Sequence, residues 1–371
     1  MEEKVVKKKK KIKISLNIKR VFLLIFSIGV IGISCGLFLL YGPITWFRNT
    51  LITTAMTTKS HQYLTRWFFS EEYINKVLAN NFVVEVNEDT NPNLINMGKI
   101  NSKYSNKYEK DLFQGVKEDT IYKKIYVKGK GYDGYVIAIY DPANVKIGVS
   151  SKLGTSGETV KVMAEKNNAL VCMNGGGFYD PTWDGNGAIA HGTVIKDGKI
   201  LWDYKDANVG GGFIGFNNDN VLVLGRMTAQ QAINKGMRDA MEFGPFLIVN
   251  GKASFVKGDG GWGIAPRSAI GQRADGIVLF VVINGRNYKA GIPGIDLVGM
   301  TEIMQNYGAV NAANLDGGTS SALVERVNGE IKLINNPISS GGNQGVLRRI
   351  PTSWMVVEPE KPVKTEKSKA K

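Results

Sequence analysis

The chain has 371 residues, 43% of them hydrophobic, enough for one to three domains with a substantial core. Its 44 glycines make up about 12% of the residues, against a usual ~7%. With only 11 prolines, no Gly-X-Y period and 9% aromatics, this excludes a collagen, a disordered tail protein and a disulfide scaffold.

The net charge of +14 is concentrated at the termini. Residues 1–20 hold nine Lys and Arg against Glu2 and Glu3, and 358–371 hold five Lys against three Glu. The central part keeps a mild basic excess, which carries no nucleic-acid signature.

Residues 1–20 read as a basic cytoplasmic tail. Val21 to Tyr41 is an uncharged run of 21 residues, which as a helix spans roughly 30 Å of hydrocarbon. Lys7–Lys11, Lys13, Lys19 and Arg20 flank it on one side, and Trp46 and Phe47 follow at the position of an aromatic belt. A cleaved signal peptide has a shorter apolar region, of about 7–15 residues, and a small-residue cleavage site. This run leads into Tyr41-Gly42-Pro43 instead. The expectation is a single-pass cell-membrane anchor over 21–41, with the N-terminus cytoplasmic and everything after residue 48 outside. Cys35 in the span and Cys172 beyond it cannot pair within one chain, so the exported part has no disulfide, as fits a bacterial surface protein.

Residues 48–118 read as a juxtamembrane helical region and linker. A helix starts at Ser70-Glu71-Glu72, and the segment from 87 is polar. His61, close to the membrane, reads as a packing or interfacial histidine. Strand patterns begin near 120 with IYKKIYV, GYVIAIYD and VKIGV, and continue through IVLFVVING to SWMVVE. Helical patterns appear at 159–168, 228–240 and 296–308. The predicted class is α+β, with a large, mostly antiparallel mixed sheet and flanking helices over 119–358, preceded by one transmembrane helix and followed by a charged flexible tail, 359–371.

Several familiar signals fail. Gly129-Lys130-Gly131-Tyr132-Asp133-Gly134 matches G-x-G-x-x-G, but an apolar strand follows it rather than a helix, so it is a hairpin turn. His191 is the only histidine of the domain, which excludes a His/Cys zinc cluster, and Cys172 sits in the apolar run ALVCM. There is no G-x-S-x-G elbow. Asp180, Asp184 and Asn186 offer oxygen ligands for a calcium ion, but their spacing fits no established loop, so no metal is assigned and no cofactor is expected.

Three glycine-bracketed polar clusters survive. They are MNGGGFYD from Met173, running on to His191; GGWGIAPRSAIG from Gly260; and AANLDGGTSS from Ala312. In each, an apolar run delivers a hydrogen-bonding residue to a strand end, beside glycines that let a ligand approach the backbone.

MNGGGFYD, APRSAIGQR with NGR following, and NAANLDGGTSS, in this order, resemble the phosphodiester glycosidase family over roughly 120–358. The ending Arg348-Arg349-Ile350-Pro351-Thr352 is similar to the family's Arg-x-x-Pro-Thr. A lysosomal member removes N-acetylglucosamine from a sugar phosphodiester, and bacterial members are described as exopolysaccharide-related. The resemblance implies a hydrolase acting on an N-acetylglucosamine-like phosphodiester in a surface glycopolymer. The preceding GGNQGVL lacks the acidic residue often found beside that arginine, which leaves open whether Arg348 joins the site.

Cleavage at the anomeric carbon passes through an oxocarbenium-like transition state and expels a phosphate monoester, a weak base. The scarce requirements are a carboxylate and a cation for the phosphate. Asp316 is the expected base or nucleophile, Arg267 the bidentate phosphate fork and His191 a phosphate donor or proton shuttle. Asn174 and Gly175 are expected to meet the sugar or the carboxylate, and Arg286 to form a second clamp. Gly317, Gly318 and Thr319, with Ser320, are expected to offer donors to an anion. The rival expectation is a non-catalytic module that holds a cell-wall or capsular glycopolymer, using the same loops without Asp316 or His191.

Overall fold

A computed structural model describes residues 17–58, 61–98, 104–180, 185–204, 212–339 and 341–359. The basic segment 1–16, Asp184 and the charged tail from 360 lie outside the described residues. The chain divides into two units, Met1–Leu51 and Ile52–Lys371.

The first unit contains the helix Ile18–Tyr41, whose 24 residues span about 36 Å. Asn17 caps its start by accepting the Arg20 N–H, and no residue of it is buried. The Arg48 guanidinium closes the other end by donating to the Leu40 and Gly42 carbonyls at 3.1 and 3.2 Å. This helix is long and apolar enough to cross a membrane.

The second unit is α+β with antiparallel strand pairing. The strands are divided among sheets rather than joined in one. A seven-stranded sheet runs Lys252–Ala253, Phe246–Val249, Ala309–Asn314, Arg267–Arg273, Val278–Ile283, Tyr132–Ile139 and Tyr122–Gly129. One five-stranded sheet orders Glu330–Leu333, Leu323–Val327, Val171–Asn174, Thr352–Val356 and Val145–Val149. Another orders Leu222–Gly225, Gly212–Asn217, Met237–Phe243, Gly192–Lys196 and Lys199–Tyr204. The three sheets face a common core, in which Phe280, Ile270, Met173, Trp354, Phe216 and Met241 are all buried.

The outer faces are covered by helices, which is why the central strands are apolar on both sides. Val278, Phe280 and Val282 enter the common core, while Leu279, Val281 and Ile283 pack in a second cluster with Met300 and Met304 of the helix Leu297–Asn306. The helical pattern at 228–240 is realised only as Ala229–Asn234. Gly236, at φ +74°, turns the chain, and Met237–Phe243 becomes a strand.

The polar segment from 87, expected to be a linker, is tied to the sheets by its own polar groups. Thr90 exchanges two hydrogen bonds with the Leu224 backbone, at 3.0 and 2.9 Å. The N–H groups of Asn96 and Gly98 donate to the Ala274 and Asp275 carbonyls. Ile95 is buried, and the helix Lys107–Phe113 sends Leu112 and Phe113 into the second core cluster.

Candidate active site

The adjacent strands Arg267–Arg273 and Ala309–Asn314 pair antiparallel with Ala269 opposite Asn314. The Leu315 N–H continues this register by donating to the Ser268 carbonyl at 2.9 Å. One step further, Arg267 stands opposite Asp316, and directly opposed residues in a ladder share a face. The other neighbour of Arg267 in the sheet is Ile283, three residues before Arg286, so one sheet end delivers all three charges.

Asn174 fastens this end from the neighbouring five-stranded sheet. Its Nδ2 donates to the Asp316 carbonyl at 2.7 Å, and its Oδ1 accepts from Ser268 Oγ at 2.7 Å and the Ala322 N–H at 3.2 Å. The Asp316 N–H donates to the Gly175 carbonyl at 3.1 Å. One wholly buried amide thus joins all three glycine-bracketed clusters. Asn174 and Gly175 hold the backbone of Asp316 rather than facing the cleft.

The cleft is a hollow of about 910 Å³ in whose wall stand Asp316, Arg267, Arg286, His191 and the Gly317-Gly318-Thr319 turn. Its lining holds four arginines and two aspartates. Arg267 is 2% exposed, and its Nη2 donates to the carbonyls of Trp262 and Gly263. Its Nε has no hydrogen-bond partner among the described residues. Burial pulls the guanidinium down to about 10, against the opposing pull of Asp259, Asp296 and Asp316, so it stays charged at neutral pH.

Burial likewise pushes the Asp316 carboxyl above the usual carboxylate range. The adjacent Ser320 hydroxyl, the charges of Arg348 and Arg267, and the Gly317 N–H work against that rise. Arg286 adopts φ +59°, a left-handed conformation uncommon outside glycine, and donates to Thr319 Oγ1 at 2.9 Å.

The expected backbone anion cradle is not available at two of its positions. The Gly317 N–H donates to Asp316 Oδ1 at 2.9 Å and the Gly318 N–H to the Pro266 carbonyl at 2.8 Å. Donors for an anion come from the arginine side chains instead. Ser320 is buried beside the Asp316 carboxylate and does not line the hollow.

Arg348 does line it. Its Nη2 pairs with Asp180 at 3.1 Å, and its guanidinium lies 4.6 Å from the Phe178 ring centroid. Asp180 stood out only as an oxygen ligand and Phe178 not at all, since the arginine they meet lies 168 residues beyond Asp180. Trp262 was also missed. Its indole lines the hollow, packs edge-on against Phe243 at 6.1 Å, and has the Arg267 guanidinium 5.6 Å from its centroid. His191 enters between two short strands, its N–H donating to the Gly177 carbonyl at 3.1 Å. Cys172 is fully buried, with its thiol pushed up to about 12 by burial, and takes no part. Among the described residues no group of three His, Cys, Asp or Glu side chains gathers for a metal.

The phosphodiester glycosidase family model matches residues 167–357, more than half of the chain. The SPbeta prophage-derived uncharacterized protein YomE of Bacillus subtilis (strain 168) is 33% identical over 214 residues, which are 55% of this chain and 31% of that protein. The match therefore spans less than a third of that relative's length. Among solved structures, the catalytic domain of zebrafish N-acetylglucosamine-1-phosphodiester alpha-N-acetylglucosaminidase, auto-inhibited by its pro-peptide, shares the fold. It superposes with a TM-score of 0.53 at 20% identity, over 66% of this chain and 86% of that one. The chain belongs to the phosphodiester glycosidase family.

Proposed function

We propose that this protein is a membrane-anchored, extracytoplasmic hydrolase that cleaves a glycosyl phosphodiester, with an N-acetylglucosamine-like sugar, in a surface or exopolysaccharide-type glycopolymer. The observation that carries the reading is the charge of the cleft. Arg267 is buried and Arg286 half-buried beside Asp316, and neither has a carboxylate within ion-pair distance among the described residues. Guanidinium groups that make no direct ion pair with a protein carboxylate favour an anionic ligand, and phosphate oxygens fit their fork geometry.

In this reading Arg267, Arg286 and Arg348 hold the phosphodiester, with the anomeric carbon facing Asp316. The ionised Asp316 acts as base or nucleophile as the glycosyl bond lengthens. The departing phosphate takes the electron pair and is stabilised by the same arginines, so little general-acid help is needed. His191 stands where it can move a proton between water and phosphate. Asn174 keeps the Asp316 backbone in place without touching substrate.

The test is incubation of the purified chain with N-acetylglucosamine-1-phosphodiester compounds and measurement of released sugar. Turnover is expected, and is lost in Asp316→Asn. Binding of the phosphodiester with no release from the wild type would favour the non-catalytic glycopolymer-binding module. The topology is tested separately. Protease added to wall-stripped cells should degrade 48–371 and spare the N-terminal lysine cluster.

A further inference from the structure

The second unit exposes large aromatic side chains on a segment that is itself firmly packed. The helix Gln62–Arg66 buries Thr65, and Phe69, one turn further on, packs against the cluster of Ile52, Ile74 and Val77. Gln62 Nε2 donates to the Met56 carbonyl at 3.2 Å, and Thr65 Oγ1 meets Met56 Sδ at 3.4 Å. Tyr63 and Trp67 are also one turn apart, on the opposite face. They are 47% and 72% exposed, with their rings edge to face at 4.9 Å. Phe68, beside them, is exposed as well.

Tryptophan is highly buried on average, and a group of exposed rings marks a surface that meets something apolar. Two observations favour a lipid surface. Tyr and Trp settle at a membrane–water interface, with the apolar body inward and the polar tip in the headgroups. Tyr63 also follows Tyr41, the last residue of the membrane-length helix, by only 22 residues, and 12 of these form the compact helix Thr45–Met56. The same segment reaches the candidate active site. Thr57 and Thr58 directly follow Met56, the residue that Gln62 and Thr65 hold, and both line the hollow that contains Asp316 and Arg267.

We infer that Tyr63 and Trp67 seat the second unit on the bilayer, so that the cleft takes glycosyl phosphodiesters borne by lipid at that surface. The seating rests on the proposed membrane anchor, and the choice of substrate rests also on the reading of the cleft as a phosphodiester site. With the rings among the headgroups, the wall formed by Thr57 and Thr58 stands close to the lipid surface. The chain then meets its substrate by diffusion in the plane of the membrane, and a phosphodiester without a lipid is the poorer substrate.

The test uses the full chain in vesicles of phosphatidylglycerol and phosphatidylcholine. Flotation with the vesicles checks the anchor first, and a chain that does not float refutes anchor and seating together. In a Cys35→Ser background, where the remaining Cys172 is fully buried, Phe68→Cys carries a nitroxide beside the two rings. Its spin relaxation is expected to respond more to oxygen dissolved in the lipid than to an aqueous nickel chelate, and Tyr63→Ser/Trp67→Ser should reverse that order. A floating chain whose label favours nickel overturns the seating, and dipolar broadening between labels there would assign the rings to a second copy. Hydrolysis is then compared for two N-acetylglucosamine-1-phosphodiesters, one of a long-chain alcohol held in the vesicles and one of methanol in solution. Tyr63→Ser/Trp67→Ser should lower kcat/KM about tenfold for the first and leave the second unchanged. Equal effects on both esters, or none on either, overturn the lipid-borne substrate. Hydrolysis of neither ester by the wild type refutes the proposed activity and that substrate with it, while the label still decides the seating.

Discussion

Arg267 and Asp316 are cross-strand neighbours at one end of the seven-stranded sheet, one step beyond the Ser268–Leu315 hydrogen bond. Sheet register therefore sets a guanidinium and a carboxylate on the same face although 48 residues separate them. The buried Asn174 amide locks that arrangement to a second sheet. Two rigid strands and one amide, rather than a mobile loop, define the candidate catalytic pair.

Asn174→Ala should be the most destabilising of the site variants. It strands the Ala322 N–H and the Asp316 carbonyl inside the protein, and each buried group left unpaired costs about 1–3 kcal/mol. Urea denaturation should show a loss of at least 2 kcal/mol, with turnover lowered among the molecules that remain folded. A loss below about 0.5 kcal/mol would show that the amide is not the tie between the sheets.

The raised pKa of Asp316 fixes the sign of two pH effects. A base must be ionised, so the acid limb of kcat/KM should lie above the ~3.9 of an ordinary aspartate. The folded state also binds this proton more tightly than the unfolded chain. Stability from this group is therefore greatest below the unfolded pKa and falls as pH rises through the window up to the folded one. Asp316→Asn should accordingly melt above the wild type at pH 7, with the difference closing in acid. Melting curves at a series of pH values check this, and a variant less stable than the wild type at pH 7 would reverse the sign.

Gly318→Ala should damage the phosphate clamp through the backbone. Gly318 has φ +63°, and a Cβ there would lie 2.8 Å from Arg286 Nη2. A side chain in this region costs roughly 1–2 kcal/mol, and the guanidinium must move. Denaturation should show that loss, and KM for a phosphodiester should rise severalfold. An unchanged KM would place Arg286 outside the clamp.

Much of this arrangement is legible in the sequence. Glycine-bracketed clusters at the ends of apolar runs mark strand ends, while the pairing of the runs that carry Arg267 and Asp316 emerges only from the sheet register. The role of Asn174 is not legible, because its partners come from Ser268, Asp316 and Ala322, which only the tertiary fold assembles. Gly317 and Gly318 look like anion donors in isolation, yet the Asp316 carboxylate takes the first N–H and the Pro266 carbonyl, beside the neighbouring strand, takes the second. The segment from 87 looks like linker because polar residues such as Thr90 are the ones that bond to exposed strand backbone. Composition does not separate solvated polar residues from those bound to a sheet.

Arg348 should act by both charge and shape. It pairs with Asp180, lies over Phe178 and lowers the Asp316 pKa. Arg348→Ala should raise KM for a phosphodiester about tenfold, and Arg348→Lys should restore less than half of that loss, since a point charge replaces a planar fork. Full rescue by lysine would reduce the role of Arg348 to electrostatics alone.

The central claim is that the glycosyl bond, not the phosphorus–oxygen bond, is broken at Asp316. Hydrolysis of an N-acetylglucosamine-1-phosphodiester in ¹⁸O water, followed by mass spectrometry of both products, tests it most directly. Attack at the anomeric carbon places the label on the sugar hydroxyl and leaves the phosphate monoester unlabelled. Label in the phosphate would mean attack at phosphorus, and would make this protein a phosphodiesterase in which Asp316 is no glycosidase carboxylate.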